Sequence, residues 1–309
     1  MIIKKIIIFL VFLFIISSTL ITFDISNDQS LKKNSVKNQD SDYVVEPKNG
    51  NNDIYHSSYR SNAKIYSDIF LNVENETQIV EKVYGGIVPH HFLASDLIAK
   101  FFKKIESQSD METVVLVGPN HFNVGFYGVL TSEAYWSTPF GDIEPDLGVI
   151  GALTEGGFVQ IDEKPFQSEH SISTITPFIK KTFPDAKIVP IIIKNTVSYD
   201  VLEEIAKKIE EHDSDKVLMI ASVDFSHFLP FEDSQIEDSR SIKEIQSFNL
   251  DRIYDLKVDS PSSIYVLLSY LKLKEAQKLI FSERSNSVLI SDMSDNQETV
   301  GYFIGHFGK

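Results

Sequence analysis

From about Ala63 to Lys309, short apolar runs alternate with stretches in which apolar positions recur every three or four residues. Unbroken apolar runs of strand length predict strands buried on both faces, and the three-to-four spacing predicts amphipathic helices. Their alternation predicts βαβ units: one α/β domain with a mainly parallel central sheet flanked by helices. Gly85-Gly86-Ile87-Val88, Val114-Val115-Leu116-Val117-Gly118, Ile188 to Ile193 and Val217-Leu218-Met219-Ile220-Ala221-Ser222 read as strands. Helices fit over Ala94 to Ile105 and Val201 to Glu211. In the second, Val201, Leu202, Ile205 and Ile209 share a face, while Glu203–Lys207 and Glu204–Lys208 pair across one turn.

The first 62 residues follow neither pattern. Residues 1–23 carry Lys4 and Lys5 and then an almost unbroken apolar run from Ile6 to Phe23. Such a run behind two lysines reads as a signal peptide or an N-terminal membrane anchor, and it would put the rest of the chain outside the cytoplasm. Both readings stay open, because Ser17-Ser18-Thr19 is only a weak cleavage signal. Residues 24–62 are rich in Asn, Asp, Ser and Lys and read as a disordered polar tether. The folded domain is therefore expected over residues 63–309.

Composition narrows the chemistry. With 44 Asp+Glu against 29 Lys+Arg, the formal charge of −15 argues against nucleic acid as a partner, which requires a basic footprint. Cysteine is absent, which excludes disulfides, thiolate metal sites and thiol catalysis. Apolar residues at 42%, with 22 Phe and 12 Tyr, supply a sizeable core.

Three predicted strands run directly into histidine. The first leads to Pro89-His90-His91, the second to Pro119-Asn120-His121, and the last to Val223-Asp224-Phe225-Ser226-His227. In open α/β sheets the ligand crevice lies outside the carboxyl ends of the strands. One such histidine reads as a strand-end cap, but three at equivalent places predict a convergent polar site. Glu169-His170-Ser171 is open to two readings, a site motif or the cap of a helix. Asp142, in Thr138-Pro139-Phe140-Gly141-Asp142, reads mostly as a turn residue.

Taken together, these segments resemble the Memo family, also called AmmeMemoRadiSam system protein B. The matching pieces are Pro89-His90, Gly118-Pro119-Asn120-His121, Thr138 to Asp142, Glu169-His170-Ser171-Ile172, Ser222 to His227 and Thr299-Val300-Gly301-Tyr302. The resemblance implies a fold similar to class III extradiol dioxygenases, whose non-haem iron sits at strand ends. It implies His90 and His121 as metal ligands, Asp224 and His227 as an acid/base pair, and Glu169 and His170 as site-lining, cofactor-binding residues. Many relatives supply a cysteine as third ligand; here Asp259 stands in that place, just before Ser260-Pro261. Two histidines and a carboxylate suit Fe(II), with Mn or Cu as other divalent choices. Asp259 is also open to a plainer reading, as a charge beside the positive end of a helix. The family's usual Ala-Gly-Tyr after the first histidine is replaced by His91-Phe92-Leu93.

The implied function is a metal-dependent, dioxygenase-like oxidoreductase acting on an unidentified small molecule. A non-catalytic metal- or ligand-binding module tethered outside the cytoplasm is the alternative. A metal-assisted hydrolase has no supporting motif, since neither Gly-x-Ser-x-Gly nor His-Glu-x-x-His occurs.

Overall fold

Ordered secondary structure starts ahead of Ala63. The computed structural model describes residues 53–291 and 298–309. The N-terminal apolar segment and nearly all of the expected tether lie outside them. Strand β1 (Tyr55–Ser57) runs parallel to β5 (Tyr135–Thr138), with Tyr55 stacked on Tyr135 at 5.2 Å. His56 is buried, its Nε2 2.7 Å from Glu163 Oε2. An aromatic stack and a buried ion pair therefore bring the last residues of the expected tether into the fold. The hairpin partner of β5 is β6 (Gly141–Ile143), which completes a small three-stranded sheet. Asp142 lies exposed in that hairpin and accepts a 2.8 Å bond from Ser137 Oγ, the turn role its sequence suggested.

The remaining strands build a nine-stranded sheet. They are β2 (Val83–Val88), β3 (Thr113–Pro119), β4 (Val129–Thr131), β7 (Gln160–Ile161), β8 (Lys187–Ile193), β9 (Val217–Ser222), β10 (His227–Leu229), β11 (Lys278–Asn286) and β12 (Thr299–Gly308). The order is β10-β12-β2-β9-β3-β8-β4-β7, with β11 beside β12. The fold is α/β as the pattern predicts, and its sheet is mixed. Parallel order holds at the centre, β2-β9-β3-β8, where every strand is apolar on both faces. Toward the edges β12 returns antiparallel to β2, and β4 antiparallel to β8. Strand β11 alternates exposed and covered residues, as an antiparallel outer strand does.

Period-two alternation divides the core. On β3, Val115 and Val117 join a cluster covered by the helices Tyr199–Glu211 and Pro261–Leu273. Val114 and Leu116 face a second cluster under the helices Ala63–Asn72, Ser95–Lys104 and Thr176–Thr182. Each fully buried Val, Leu or Ile contributes about 1.5–3 kcal/mol, so a one-residue slip of a central strand is strongly opposed on both faces. Among the described residues, no helix is long and apolar enough to cross a membrane.

One buried imidazole of this core sets a pH limit. His306 on β12 is fully buried, stacked on Phe101 at 4.1 Å, with Nε2 3.0 Å from the Phe101 carbonyl. Burial pulls its pKa down from 6.5 to about 4. The unfolded chain therefore takes up a proton that the folded chain refuses between those values. Stability is complete above about pH 6.5 and is lost as pH falls toward 4, by up to about 3 kcal/mol. Urea unfolding of His306→Gln is expected to show a flatter decline over this window than the unsubstituted chain.

Candidate metal centre

The centre of the sheet carries the site. Strands β2, β9 and β3 are neighbours and parallel, so the turns after Val88, Ser222 and Pro119 open at one edge. The His90 and His121 rings meet there edge to face, 5.0 Å apart. Asp259 joins them from the start of the helix Pro261–Leu273. Ser260 caps that helix by accepting from the Ser263 N–H, with Pro261 in the first turn, so Asp259 is left outside it. Its Oδ2 lies 3.0 Å from His90 Nε2 and 3.8 Å from His121 Nε2. Its Oδ1 is buried without a partner among the described residues. Two imidazole nitrogens and a half-satisfied carboxylate thus face one point.

Each ring is aimed by a partner on its far side. Ser222 Oγ gives its one proton to the Ser171 carbonyl at 2.7 Å, so it must accept from His90 Nδ1, 3.2 Å away. That turns His90 Nε2 toward Asp259, to which it donates while protonated. Glu169 Oε1 lies 2.6 Å from His121 Nδ1, and Oε2 accepts from the His121 backbone N–H at 3.0 Å. Glu169 also caps the short helix His170–Ser173 by accepting from the Ser171 N–H. Glu169 therefore both caps that helix and orients the His121 ring, rather than facing the centre. A carboxylate or hydroxyl behind each imidazole is the usual outer support of a metal-binding histidine.

Loop chemistry explains the neighbouring motif residues. Gly118 is required because a Cβ there would lie 2.5 Å from Ser171 Oγ, so only glycine admits the Glu169-His170-Ser171 segment. Asn120 pins its own loop, donating to the Val124 carbonyl and accepting from the Val124 N–H. Gly301 donates to the Ser226 carbonyl and accepts from the Phe225 N–H, which ties the Asp224–His227 loop to β12.

Asp224 and His227 are held apart in function. Asp224 Oδ1 accepts from the backbone N–H of His90 at 2.9 Å, and its Oδ2 is 3.7 Å from His90 Nε2. His227 instead donates from Nδ1 to the Phe225 carbonyl at 2.7 Å. Among the described residues no hydrogen bond joins Asp224 to His227. Asp224 therefore braces the His90 turn, and a backbone carbonyl orients His227. His170 stacks on His121 at 4.2 Å, with Nδ1 3.8 Å from Glu169 Oε1. Its nitrogen falls within 4.8 Å of those of His90 and His121, as the carboxylates of Asp224 and Asp259 do around His90.

The charges interlock. Burial disfavours the His121 cation, but Asp259 and Glu169 outweigh it and raise its pKa to about 10. His90 is likewise raised, with burial outweighed by Asp224 and Asp259. Burial would raise Asp259, yet the two imidazolium rings pull it well below the usual carboxylate range. His170 is pushed down to about 4 by burial and by the His90 and His121 charges. Two histidines thus hold protons where a cation would otherwise sit among the carboxylates.

Some supporting residues carry no strong sequence signal. Ser222 and Tyr302 fall inside the motif pieces Ser222 to His227 and Thr299 to Tyr302, where neither was given a role of its own. Strand β8 ends without histidine, yet Asn195 beyond it donates to the Asp259 carbonyl at 2.9 Å. Lys194 donates to the Gly125 carbonyl and braces the loop after His121. The Tyr302 hydroxyl lies 2.6 Å from His91 Nδ1.

Fold and site define an α/β protein whose strand-end crevice gathers imidazoles and carboxylates in a set able to hold a metal ion. The chain belongs to the Memo-like protein family, whose model matches residues 53–305. A MEMO1 family protein of Methanococcus maripaludis is 32% identical over 236 residues, covering 72% of this chain and 82% of the relative. One from Thermoplasma acidophilum is 29% identical over 248 residues, covering 77% of this chain and 91% of its own length. One from Methanococcoides burtonii is 32% identical over 185 residues, covering 58% and 68%.

Proposed function

We propose that His90, His121 and Asp259 hold one divalent metal ion, Fe(II) before Mn or Cu, in a crevice that acts on a small oxygen-bearing molecule. The observation that carries this is the buried Asp259 Oδ1, without a partner among the described residues, beside a carboxylate oxygen faced by two imidazole nitrogens. The donor set fits: two imidazoles, which give up their Nε2 protons on binding, and a carboxylate, with no thiolate, suit iron or manganese better than Cu(I). When bound, such an ion supplies a Lewis acid with positions open to oxygen ligands, and iron adds redox capacity. The chain's own residues do the rest. Ser222 and Glu169 keep Nδ1 of each ligand histidine protonated, Asp224 fixes the His90 turn, and His227 presents Nε2 as a proton acceptor. We read the N-terminal segment, on its lysines and apolar run, as placing this domain outside the cytoplasm, anchored or secreted.

The separation of Asp224 from His227 favours a second reading. No hydrogen bond joins the two among the described residues, so the pair expected to move a proton is not assembled, which suits a tethered metal- or ligand-binding module.

Metal analysis by mass spectrometry on the chain purified anaerobically and offered Fe(II), Mn(II), Cu and Zn tests the proposal. One tight equivalent is expected; none in folded protein would overturn it. Ser222→Ala and Glu169→Gln are each expected to weaken metal affinity about 10–100-fold without changing the stoichiometry at saturation, measured by chelator competition. Oxygen uptake with candidate hydroxylated compounds then separates the enzyme from the module.

A further inference from the structure

We propose that His91 and His227 form a donor–acceptor pair at the mouth of the crevice, matched to a ligand that offers both an acceptor oxygen and an O–H. The inference deepens the reading of this crevice as a ligand site and rests on it, but not on the metal. It follows from two fixed and opposite tautomers.

The first is set by Tyr302. Its hydroxyl is buried, and among the described residues its hydrogen-bond partner is His91 Nδ1, 2.6 Å away. A buried hydroxyl proton left unpaired costs about 1–3 kcal/mol, so that proton is given to Nδ1. In the neutral ring the His91 proton then sits on Nε2, making it a donor. The second is set by Phe225. Its carbonyl can only accept, so His227 Nδ1, 2.7 Å away, must carry the proton. The neutral His227 ring therefore presents a bare Nε2, an acceptor.

Strand register brings the two together. Strand β10 pairs His227 with Val300 of β12, and Tyr302 lies two residues further along the same side of that strand. Tyr302 thus stands between the two histidines, joined to His91 through its hydroxyl and placed beside His227 by strand register. The pairing is interrupted between His227 and Leu229, where Phe228 adopts a φ of 57° with its side chain 72% exposed. A bulky residue in the left-handed region is costly, and such strain persists where surrounding structure needs it. Phe228 stands directly after the His227 ring that is bonded back to the Phe225 carbonyl.

A ligand bearing only acceptor oxygens satisfies His91 and meets the His227 lone pair unfavourably. One with an acceptor oxygen and a hydroxyl satisfies both. The probes are sulfate, which only accepts at neutral pH, and phosphate, which keeps a P–OH. The full chain, metal-free and labelled with ¹⁵N-histidine, is observed by long-range ¹H–¹⁵N correlation at about pH 7.5. The expected spectrum shows His91 protonated at Nε2 and His227 at Nδ1. Tyr302→Phe, which keeps the packing ring, should mix the His91 tautomers and leave those of His227 unchanged. Titration with phosphate should perturb both rings and sulfate only His91. A preference for phosphate of about three- to tenfold, one neutral hydrogen bond's worth, is expected, and His227→Ala should abolish it. Identical tautomers on the two rings, an unchanged His91 in Tyr302→Phe, or equal binding of the two anions would each overturn the pairing. Absence of metal binding with the tautomers as described would remove the metal reading and leave this one standing.

Discussion

Asp259→Ala is expected to lower the affinity of the crevice for its metal by more than about a hundredfold, beyond the 10–100-fold typical of outer supporting residues. Asp259 is the only group that both histidine Nε2 atoms approach among the ion pairs of the described residues, at 3.0 and 3.8 Å. The competing carboxylates are already engaged. Glu169 is divided between the ring and backbone of His121 and the Ser171 N–H, and Asp224 Oδ1 is fixed by the His90 N–H. Removing Asp259 leaves two imidazoles, which hold a divalent ion weakly and unselectively. Mass spectrometry of metal content, with chelator competition, measures the loss. Metal retained at wild-type affinity would move the third ligand to Asp224, whose Oδ2 lies 3.7 Å from His90 Nε2. Asp259→Cys should instead restore binding while shifting preference toward Cu(I) and Zn, because a thiolate is the softer ligand. Asp259 is also the residue for which sequence left a plain helix-flanking role open, so this variant separates the two readings.

How much of this was legible without coordinates differs by kind of residue. The central strands and the helices Ser95–Lys104 and Tyr199–Glu211 were visible because burial on two faces or one leaves a periodic trace, whereas Phe231–Gln246, 16 residues long, was not expected. His90 and His121 were visible because they stand one and two residues after a proline that closes an apolar run. The ends of the strand order were not, since β10 and β7 are three and two residues long and carry no period to count. Strand β1 was hidden for another reason: it is held by Tyr135 and Glu163, far away in sequence, inside a stretch of tether-like composition. The supporting shell was the least legible part. Ser222, Asn195 and Tyr302 act through single hydrogen bonds set by strand order, and no spacing along the chain encodes that order. The Asp224–His227 expectation failed to produce a hydrogen bond for a local reason. The Phe225 carbonyl, two residues back, reaches the His227 ring first.

Gly86→Ala should cost about 3 kcal/mol or more, the upper end for adding one methyl to a packed core. Gly86 is in β2 between β12 and β9, with β12 antiparallel on one side and β9 parallel on the other. A Cβ there would lie 2.4 Å from Phe101 Cε2 and 2.5 Å from the Gly305 carbonyl oxygen. The ring cannot yield freely, because it is stacked on His306 and packed edge to face against Phe102. The carbonyl cannot yield either, because β12 is held in register on both sides by β2 and β11. At about 2–4 °C per kcal/mol for a domain of this size, the thermal midpoint should fall by roughly 6–12 °C. The consequence reaches the site, since β2 delivers Pro89-His90 four residues later. Any relief that shifts β2 away from β12 also moves His90 relative to Ser222, whose partner in register is Val88. Metal affinity should therefore fall in Gly86→Ala even at temperatures where the chain remains folded. A variant with the lowered midpoint and unchanged affinity would show that the strain is absorbed by Phe101 and helix Ser95–Lys104 instead of by the strand.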